Sequence, residues 1–424
     1  MNKRWPAGIA VALGAWYASD SLRHRREQED GYHLRGAELD VGSDAFLRAT
    51  EAITMAPITH GNDIELFING DEIFPAMIAT MRRAERSLNF LSYLYWSGEI
   101  ATTIAATLCE RAKAGVEVNV LLDAVGSAKM DRGLIRDLDE AGVDFAYFRP
   151  PKPYAVRRLN NRTHRKLLIA DGTVGMTGGV GIADQWTGDA QDPDHWRDTH
   201  VRVRGPVVRG LQGAFAENWL EATGNVLVGP AYLPALAPVS DDGAMQVVRS
   251  TAEVGDTNVE ALYFLAIACA RRSIQLTSAY FAPRPAFVEA LTDAAGRGVD
   301  VRVLVPGPHI DKEVVRQAGH AVYEQLLDGG VQIFEYRPTM IHAKTLTIDG
   351  SWSSVGSVNF DNRSFQLQDE VTLCVCSSDF AAQLEAQFEC DLERSAQIDL
   401  GRWNDRALPA RLREAVTKVA RREL

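Results

Sequence analysis

The sequence NRTHRKLLIADGTVGMTGG, residues 161–179, places His164 two positions before Lys166, with Asp171 five further on and a glycine directly after it. A second stretch, IHAKTLTIDGSWSSVGSVN at 341–359, repeats the spacing with His342, Lys344 and Asp349. In an extended segment successive side chains alternate, so His164 and Lys166 share a face and Arg165 points the other way. An imidazole can act as nucleophile or general acid near neutral pH, and an adjacent ammonium can hold a phosphate oxygen as a compact positive point. That pairing suits phosphoryl chemistry without a metal. Asp171 and Asp349 complete the motif, and their place before glycine predicts that they cap a turn and fix a strand end rather than touch substrate.

One such octapeptide arises by chance on the order of a few times per hundred chains of this size. Two at matching positions of a repeat are another matter. His164 and His342, Asp171 and Asp349, and Gly178 and Gly356 are each 178 positions apart. The echo extends upstream: KAGVEVNVLLDAVG (113–126) resembles GRGVDVRVLVPGPH (296–309), and EAGVDFAYFRP (140–150) resembles DGGVQIFEYRP (328–338). The chain therefore reads as two diverged copies of one unit.

Each copy alternates helical stretches with β-rich runs such as SLNFLSYLYW and SIQLTSAYFA, which predicts α/β layers. A proline-rich segment at 225–244 is the expected linker. The expected organisation is a tail over 1–35, a first unit over 36–228 and a second over 229–424, the two units packed face to face.

The remaining composition bounds the function. With 424 residues, 46% hydrophobic and 24% charged, the chain is an ordinary globular one. A net charge of −11 counts against a protein that coats nucleic acid. The single local basic cluster is Arg157, Arg158, Arg162, Arg165 and Lys166. None of the five cysteines has a zinc-ligand spacing, and Cys374 and Cys376 alternate along a predicted strand; a reducing compartment is expected. His195 and His200 read as surface or packing residues. The apolar run from Trp5 to Ala18 is shorter than the ~20 residues a spanning helix needs, which fits a frayed tail, a signal segment or a shallow anchor. The C-terminal ALPARLREAVTKVARREL reads either as a basic amphipathic helix for a membrane surface or as a docked terminal helix.

Together the duplicated H-x-K-x4-D motifs, with INGDEIFPAMIATMRRAERSLNFLSYLYW, DAVGS, TGGVGIADQW, WRDTHVRVRGPVV and GSVNFDNRSFQLQDE, resemble the phospholipase D superfamily, in the style of bacterial cardiolipin synthases. The resemblance covers nearly the whole chain from about Asn69. It implies two tandem phospholipase D-like α/β/α sandwich units with mixed central sheets, forming a pseudo-dimer with one active site at the interface. It implies that His164 attacks phosphorus, that His342 protonates the departing alcohol and later acts as base, and that Lys166 and Lys344 hold the nonbridging oxygens. By the same resemblance Asn359 contacts phosphate, Asp198 and Glu370 orient the catalytic histidines, and no metal or cofactor takes part. Two positions depart from the pattern: Gly181 stands where the first copy should offer an asparagine, and Gln368 where synthases usually carry one.

The resemblance leaves three readings: a phosphatidyltransferase making cardiolipin from two phosphatidylglycerols, a phospholipase D-type hydrolase or nuclease, and a binding scaffold. The first is favoured and the last is least supported, because both His–Lys pairs are intact. The expected partners are a phospholipid, with phosphatidylglycerol foremost, and a membrane surface, with no nucleic acid. The expected location is the cytoplasmic face of a bacterial cytoplasmic membrane, held peripherally or by the N terminus.

Overall fold

A computed structural model describes residues 32–36, 39–151, 160–240, 243–252 and 256–404. The apolar run at 5–18, Arg157 and Arg158, and the C-terminal segment from Ala407 lie outside the described residues. Among the described residues no helix is long and apolar enough to cross a membrane.

The strands are β1 (Asp63–Ile68), β2 (Ser87–Ser92), β3 (Glu117–Asp123), β4 (Asp144–Phe148), β5 (Arg162–Thr163), β6 (Leu167–Ala170), β7 (Val174–Gly178), β8 (Thr199–Arg204) and β9 (Ala244–Ser250). They continue as β10 (Ser273–Ser278), β11 (Phe281–Ala282), β12 (Asp300–Pro306), β13 (Gln332–Tyr336), β14 (Lys344–Ile348), β15 (Trp352–Gly356), β16 (Phe360–Asp361), β17 (Gln368–Cys376) and β18 (Ser395–Gln397). The first sheet has the order β1-β8-β7-β6-β2-β3-β4. The second repeats it as β9-β17-β15-β14-β10-β12-β13, with β18 added at the far edge. In each sheet three neighbouring strands (β2, β3, β4 and β10, β12, β13) run parallel beside antiparallel ones, and the second sheet gains β5 parallel to β17, so the mixed sheets and the duplication are present. Residues 225–240, within the expected linker, contain no helix or strand.

Helices cover both faces of the parallel strands, so β2 is buried along its whole length, with its polar Asn89 bonded to Gln212 at 2.9 Å. On one face of the first sheet Leu88, Phe90, Val118 and Val120 pack against Ile73, Met77, Ile104 and Leu108 of helices Asn69–Arg82 and Glu99–Lys113. On the other face Leu91, Leu167 and Val201 join Phe215 and Trp219 of helix Val208–Thr223. The same cluster takes in Met245, Val355, Val371, Leu373 and Val375 from the second sheet, so one apolar core joins the two halves. Cys374 faces away from it into a core built mainly by the second half, which Val41, Phe46 and Ala56 join, with Cys376 packed against that core.

The motif aspartates hold the hairpins in place. Asp171 and Asp349 have φ of 54°, and each is followed by a glycine with positive φ. Thr173 N–H closes the first turn on Ala170 O at 3.0 Å and Ser351 N–H the second on Ile348 O at 3.1 Å, inside three-residue connections that join the paired ends Ala170 and Val174, and Ile348 and Trp352. The Asp171 carboxylate accepts backbone N–H groups of Glu85, Arg86 and Ser87 at 2.7–3.0 Å, which docks the β6–β7 turn onto the start of β2. Asp349 does the same for Arg271, Arg272 and Ser273. Both carboxylates are thus engaged at the end of the strand remote from the histidine. Asp171→Ala, which strands three donors, is expected to cost about 2–3 kcal/mol, and Asp171→Asn less because asparagine tolerates this φ and keeps one acceptor. Urea midpoints test this; equal losses for the two variants would remove the carboxylate from the explanation.

Candidate active site

The expected continuous strand through His164 and Lys166 is broken in the structure. Residues 164–166 lie between β5, which pairs with β17 of the other half, and β6, which belongs to its own sheet. His342 likewise precedes β14, next to a bridge between Ile341 and Arg197. The physical reason is that each histidine N–H bonds across the interface: His164 N–H to Asp369 O at 2.8 Å and His342 N–H to Arg197 O at 2.7 Å. Those carbonyls immediately precede the two acids.

The acids complete the clamps in crossed fashion. His164 Nδ1 lies 3.0 and 3.1 Å from the Glu370 carboxylate oxygens, and His342 Nδ1 lies 2.8 Å from Asp198 Oδ2. Each half therefore supplies a histidine to the other half's acid. An ionised carboxylate only accepts, so Nδ1 carries the proton and the lone pair lies on Nε2, which in His342 has Lys344 Nζ 3.0 Å away.

The acids are held differently. Glu370 Oε1 accepts from Ser364 Oγ at 2.7 Å, and Oε2 accepts from Ser357 Oγ. Asp198 Oδ1 accepts the Thr199 N–H at 2.7 Å, and Oδ2 accepts the indole N–H of Trp186 at 2.8 Å. Burial pushes Glu370 up to about 7, against the pull of Lys166 and the two serines. Burial also works to raise Asp198, but the His342 charge and hydrogen bond, with Lys344 and the Thr199 N–H, outweigh it and hold Asp198 below the usual carboxylate range. Both histidines are pushed down, first by burial and then by the adjacent lysines.

Lys166 Nζ donates to His164 O at 2.7 Å, and Lys344 Nζ donates to His342 O and lies 3.0 Å from the His342 ring nitrogens. Burial first, and then for Lys166 the Lys344 charge, lowers Lys166 to about 7; burial lowers Lys344 to about 8, against the pull of Asp198 and Glu370. Two ammonium groups forced together and short of water are a site for an anion. Asn359 is 2% exposed and its Oδ1 has no hydrogen-bond partner among the described residues, although its backbone N–H is taken by Ser364 Oγ at 3.0 Å. A buried amide with an unspent end is a candidate ligand-binding group.

Arg165 does point away from His164 and Lys166, but into the interior. Fully buried, it donates to Glu370 O, Ala214 O and Ser250 O and pairs with Glu217 at 2.7 Å. Arg162 is also buried and donates to Arg149 O at 2.8 Å. Arg165 thus ties the two halves together and Arg162 braces the first half, and both are buried rather than facing a polyanion. His195 is half-buried beside Asp192, while His200 is buried on β8 and pushed down to about 4 by burial.

The motifs give no sign of the aromatic setting of the two histidines. Tyr93 lies edge-on to His164 with centroids 5.2 Å apart, and Trp186, Trp196 and Tyr280 surround His342 at 5.1, 5.7 and 6.3 Å. Trp186 explains the departure at Gly181: a Cβ there would stand 3.2 Å from both the indole Cη2 and Leu94 Cβ. Gln368 is buried in β17, in register with Arg162 of β5.

Known proteins match this chain over the same regions. A family profile described as cardiolipin synthase, PLD-like domain, matches residues 77–194 and 263–392, one segment in each half. A cardiolipin synthase of Geobacillus sp. (strain WCH70) is 34% identical over 376 residues, covering 88% of this chain and 75% of the relative. Cardiolipin synthase 2 of Bacillus anthracis is 34% identical over 378 residues, covering 89% and 73%. The crystal structure of phosphatidylserine synthase from Haemophilus influenzae Rd KW20 superposes with a TM-score of 0.69 at 13% identity, over 90% of this chain and all of that one, and supports the fold alone. With a profile in both halves and curated relatives along most of its length, the chain belongs to the phospholipase D superfamily, in its cardiolipin synthase branch.

Proposed function

We propose that the protein is a cardiolipin synthase that transfers a phosphatidyl group between two molecules of phosphatidylglycerol through a phosphohistidine. The observation that carries this is the pair of crossed histidine–acid clamps with both lysines, all buried in one site to which both halves contribute.

His164, neutral with Nδ1–H on Glu370, attacks phosphorus through Nε2. The P–O bond to the departing glycerol breaks as His342, protonated once the anionic diester has entered, gives its Nε2 proton to that oxygen. Glycerol leaves, and the phosphatidyl group stays on His164. His342, now neutral, takes the proton of a hydroxyl on the second phosphatidylglycerol. That oxygen attacks phosphorus, the P–N bond breaks, and cardiolipin departs. Lys166 and Lys344 hold the nonbridging oxygens as charge builds, and the Asn359 side-chain amide N–H adds a donor. The unequal acids support this division of labour. The depressed Asp198 remains an anion and steadies an imidazolium at His342, whereas the raised Glu370 pulls less on the His164 proton and leaves it the neutral imidazole a nucleophile must be. Because the substrate resides in a bilayer, the protein works at a membrane surface, and we place it at the cytoplasmic face of a bacterial membrane.

Incubation with phosphatidylglycerol vesicles and lipid mass spectrometry tests the transfer. Cardiolipin with an equal amount of glycerol is expected, and phosphatidic acid alone would replace transfer by hydrolysis. A pH profile tests the lysines. A lysine with a lowered pKa is charged below that value and neutral above it, so kcat/KM is expected to fall as pH rises through about 7 to 8. A flat profile from pH 6 to 9.5 would take both lysines out of phosphate binding.

A further inference from the structure

The 178-residue offset relates Gly179 to Ser357 and Trp186 to Ser364. In the second half both equivalents serve the acid, since Ser357 and Ser364 give their hydroxyls to Glu370. In the first half a Cβ at Gly179 would stand 2.2 Å from Asp198 Oδ1, so that position offers space instead of a donor. Trp186 alone of the pair makes a side-chain hydrogen bond to the acid, its Nε1–H reaching the same Asp198 Oδ2 that faces His342 Nδ1.

The indole is fixed on several sides. Trp186 is 2% exposed, its ring lies edge-on to Trp196 with centroids 4.5 Å apart, and its far edge fills the space beside Gly181. Its backbone N–H is bonded to Ala183 O at 3.0 Å within the short helical turn Asp184–Trp186. A rigid donor thus fixes the acid while its ring borders the histidine that the acid serves, at 5.1 Å between centroids.

We infer that Trp186 is a positioning residue of the acid–base half of the site: its indole N–H holds Asp198, and through Asp198 it sets the orientation and proton affinity of His342. This inference rests on the two-step transfer proposed above. Removing the N–H leaves Asp198 Oδ2 with His342 as its one side-chain donor. The carboxylate then draws that proton more strongly and raises the proton affinity of His342, so the imidazole is slower to become the free base that activates the incoming alcohol.

The test is Trp186→Phe, which keeps an aromatic ring and removes the donor, assayed with a phosphatidyl ester of p-nitrophenol and with phosphatidylglycerol vesicles. Nitrophenolate needs no protonation to leave, so the first step does not depend on His342 as acid. A burst close to one nitrophenolate per protein is expected to persist while steady turnover falls about 10- to 100-fold. The acidic limb of the turnover profile is expected to move to higher pH, a change that a merely looser fold does not produce. The double variant Trp186→Phe, Asp198→Asn is expected to match Asp198→Asn alone, since the indole acts through that acid.

Gly181→Ala provides a second approach should the phenylalanine variant not fold. Its methyl group meets the indole edge and Leu94 Cβ first, at 3.2 Å, and a smaller loss of turnover with the same direction of pH shift is expected. Wild-type rate and pH profile in Trp186→Phe, or additive losses in the double variant, would overturn the inference. If Trp186→Phe does not fold, an unchanged Gly181→Ala would do so. Failure of the wild-type protein to give a burst or turnover would instead defeat the two-step reading on which the inference stands.

Discussion

His164→Asn is expected to abolish phosphoenzyme formation and to lower turnover by ~10⁴-fold or more, because no other group in the site can take over the nucleophile's bond to phosphorus. His342→Asn is expected to lower turnover of phosphatidylglycerol comparably, but by a different route. Without its acid the first step fails on a glycerol leaving group, whereas a nitrophenyl ester, whose alcohol leaves unprotonated, still loads His164. That variant should therefore accumulate a phosphatidyl-histidine which water and alcohol resolve slowly, detectable as an acid-labile, mass-shifted protein. The two variants separate the roles because the site is only pseudo-symmetric. The geometry gives each histidine a backbone carbonyl for its main-chain N–H and a carboxylate for its ring, both from the other half, and the carboxylates differ in how they are held. Accumulation in His164→Asn and none in His342→Asn would exchange the assignments, while turnover near the wild-type rate in either would sink the mechanism.

Much of this site is legible in the sequence. Both His–Lys pairs follow from the motif and its repetition, both acids and Asn359 follow only from the resemblance to the phospholipase D superfamily, and the turn-capping task of Asp171 and Asp349 follows from their place before a glycine. That the two sheets share one strand order also follows, since a duplicated β/α pattern folds twice in the same way, but the order itself does not. The break at residues 164–166 is not legible, because local alternation describes a strand in its own sheet and cannot register that Asp369 of the other half offers the carbonyl for His164. Nor could composition show that Arg162 and Arg165 are internal: charge counts locate a cluster along the chain, while their acceptors come from the second half, from helix Val208–Thr223 and from neighbouring backbone. Trp186 sits in a loop where periodicity carries no signal. Comparing it with Ser364 at the repeat offset is the one sequence observation that could have marked it.

The crossing of the acids gives the second large effect. Asp198 lies 34 residues after His164, and Glu370 lies 28 after His342. Chain order alone would pair each acid with its own motif, so that Asp198→Asn would resemble His164→Asn. The structure reverses this: Asp198 is 2.8 Å from His342, and Glu370 is 3.0 Å from His164. Asp198→Asn is expected to lower turnover ~10³-fold, because an amide can present its N–H to Nδ1 and force the proton onto Nε2, where the base needs a lone pair. Like His342→Asn, it should still load the nitrophenyl ester and accumulate the phosphoenzyme. Glu370→Gln imposes the wrong tautomer on the nucleophile instead, so the burst itself should slow by a similar factor and no intermediate should build up. A burst lost in Asp198→Asn and kept in Glu370→Gln would mean that each motif keeps its own acid. The expected pattern means that neither half can assemble a working histidine alone, since the carbonyl and the carboxylate that aim each imidazole both belong to the other copy. That dependence accounts for one core running through both sheets: the interface positions the reacting nitrogens, and loosening it would misalign both histidines at once.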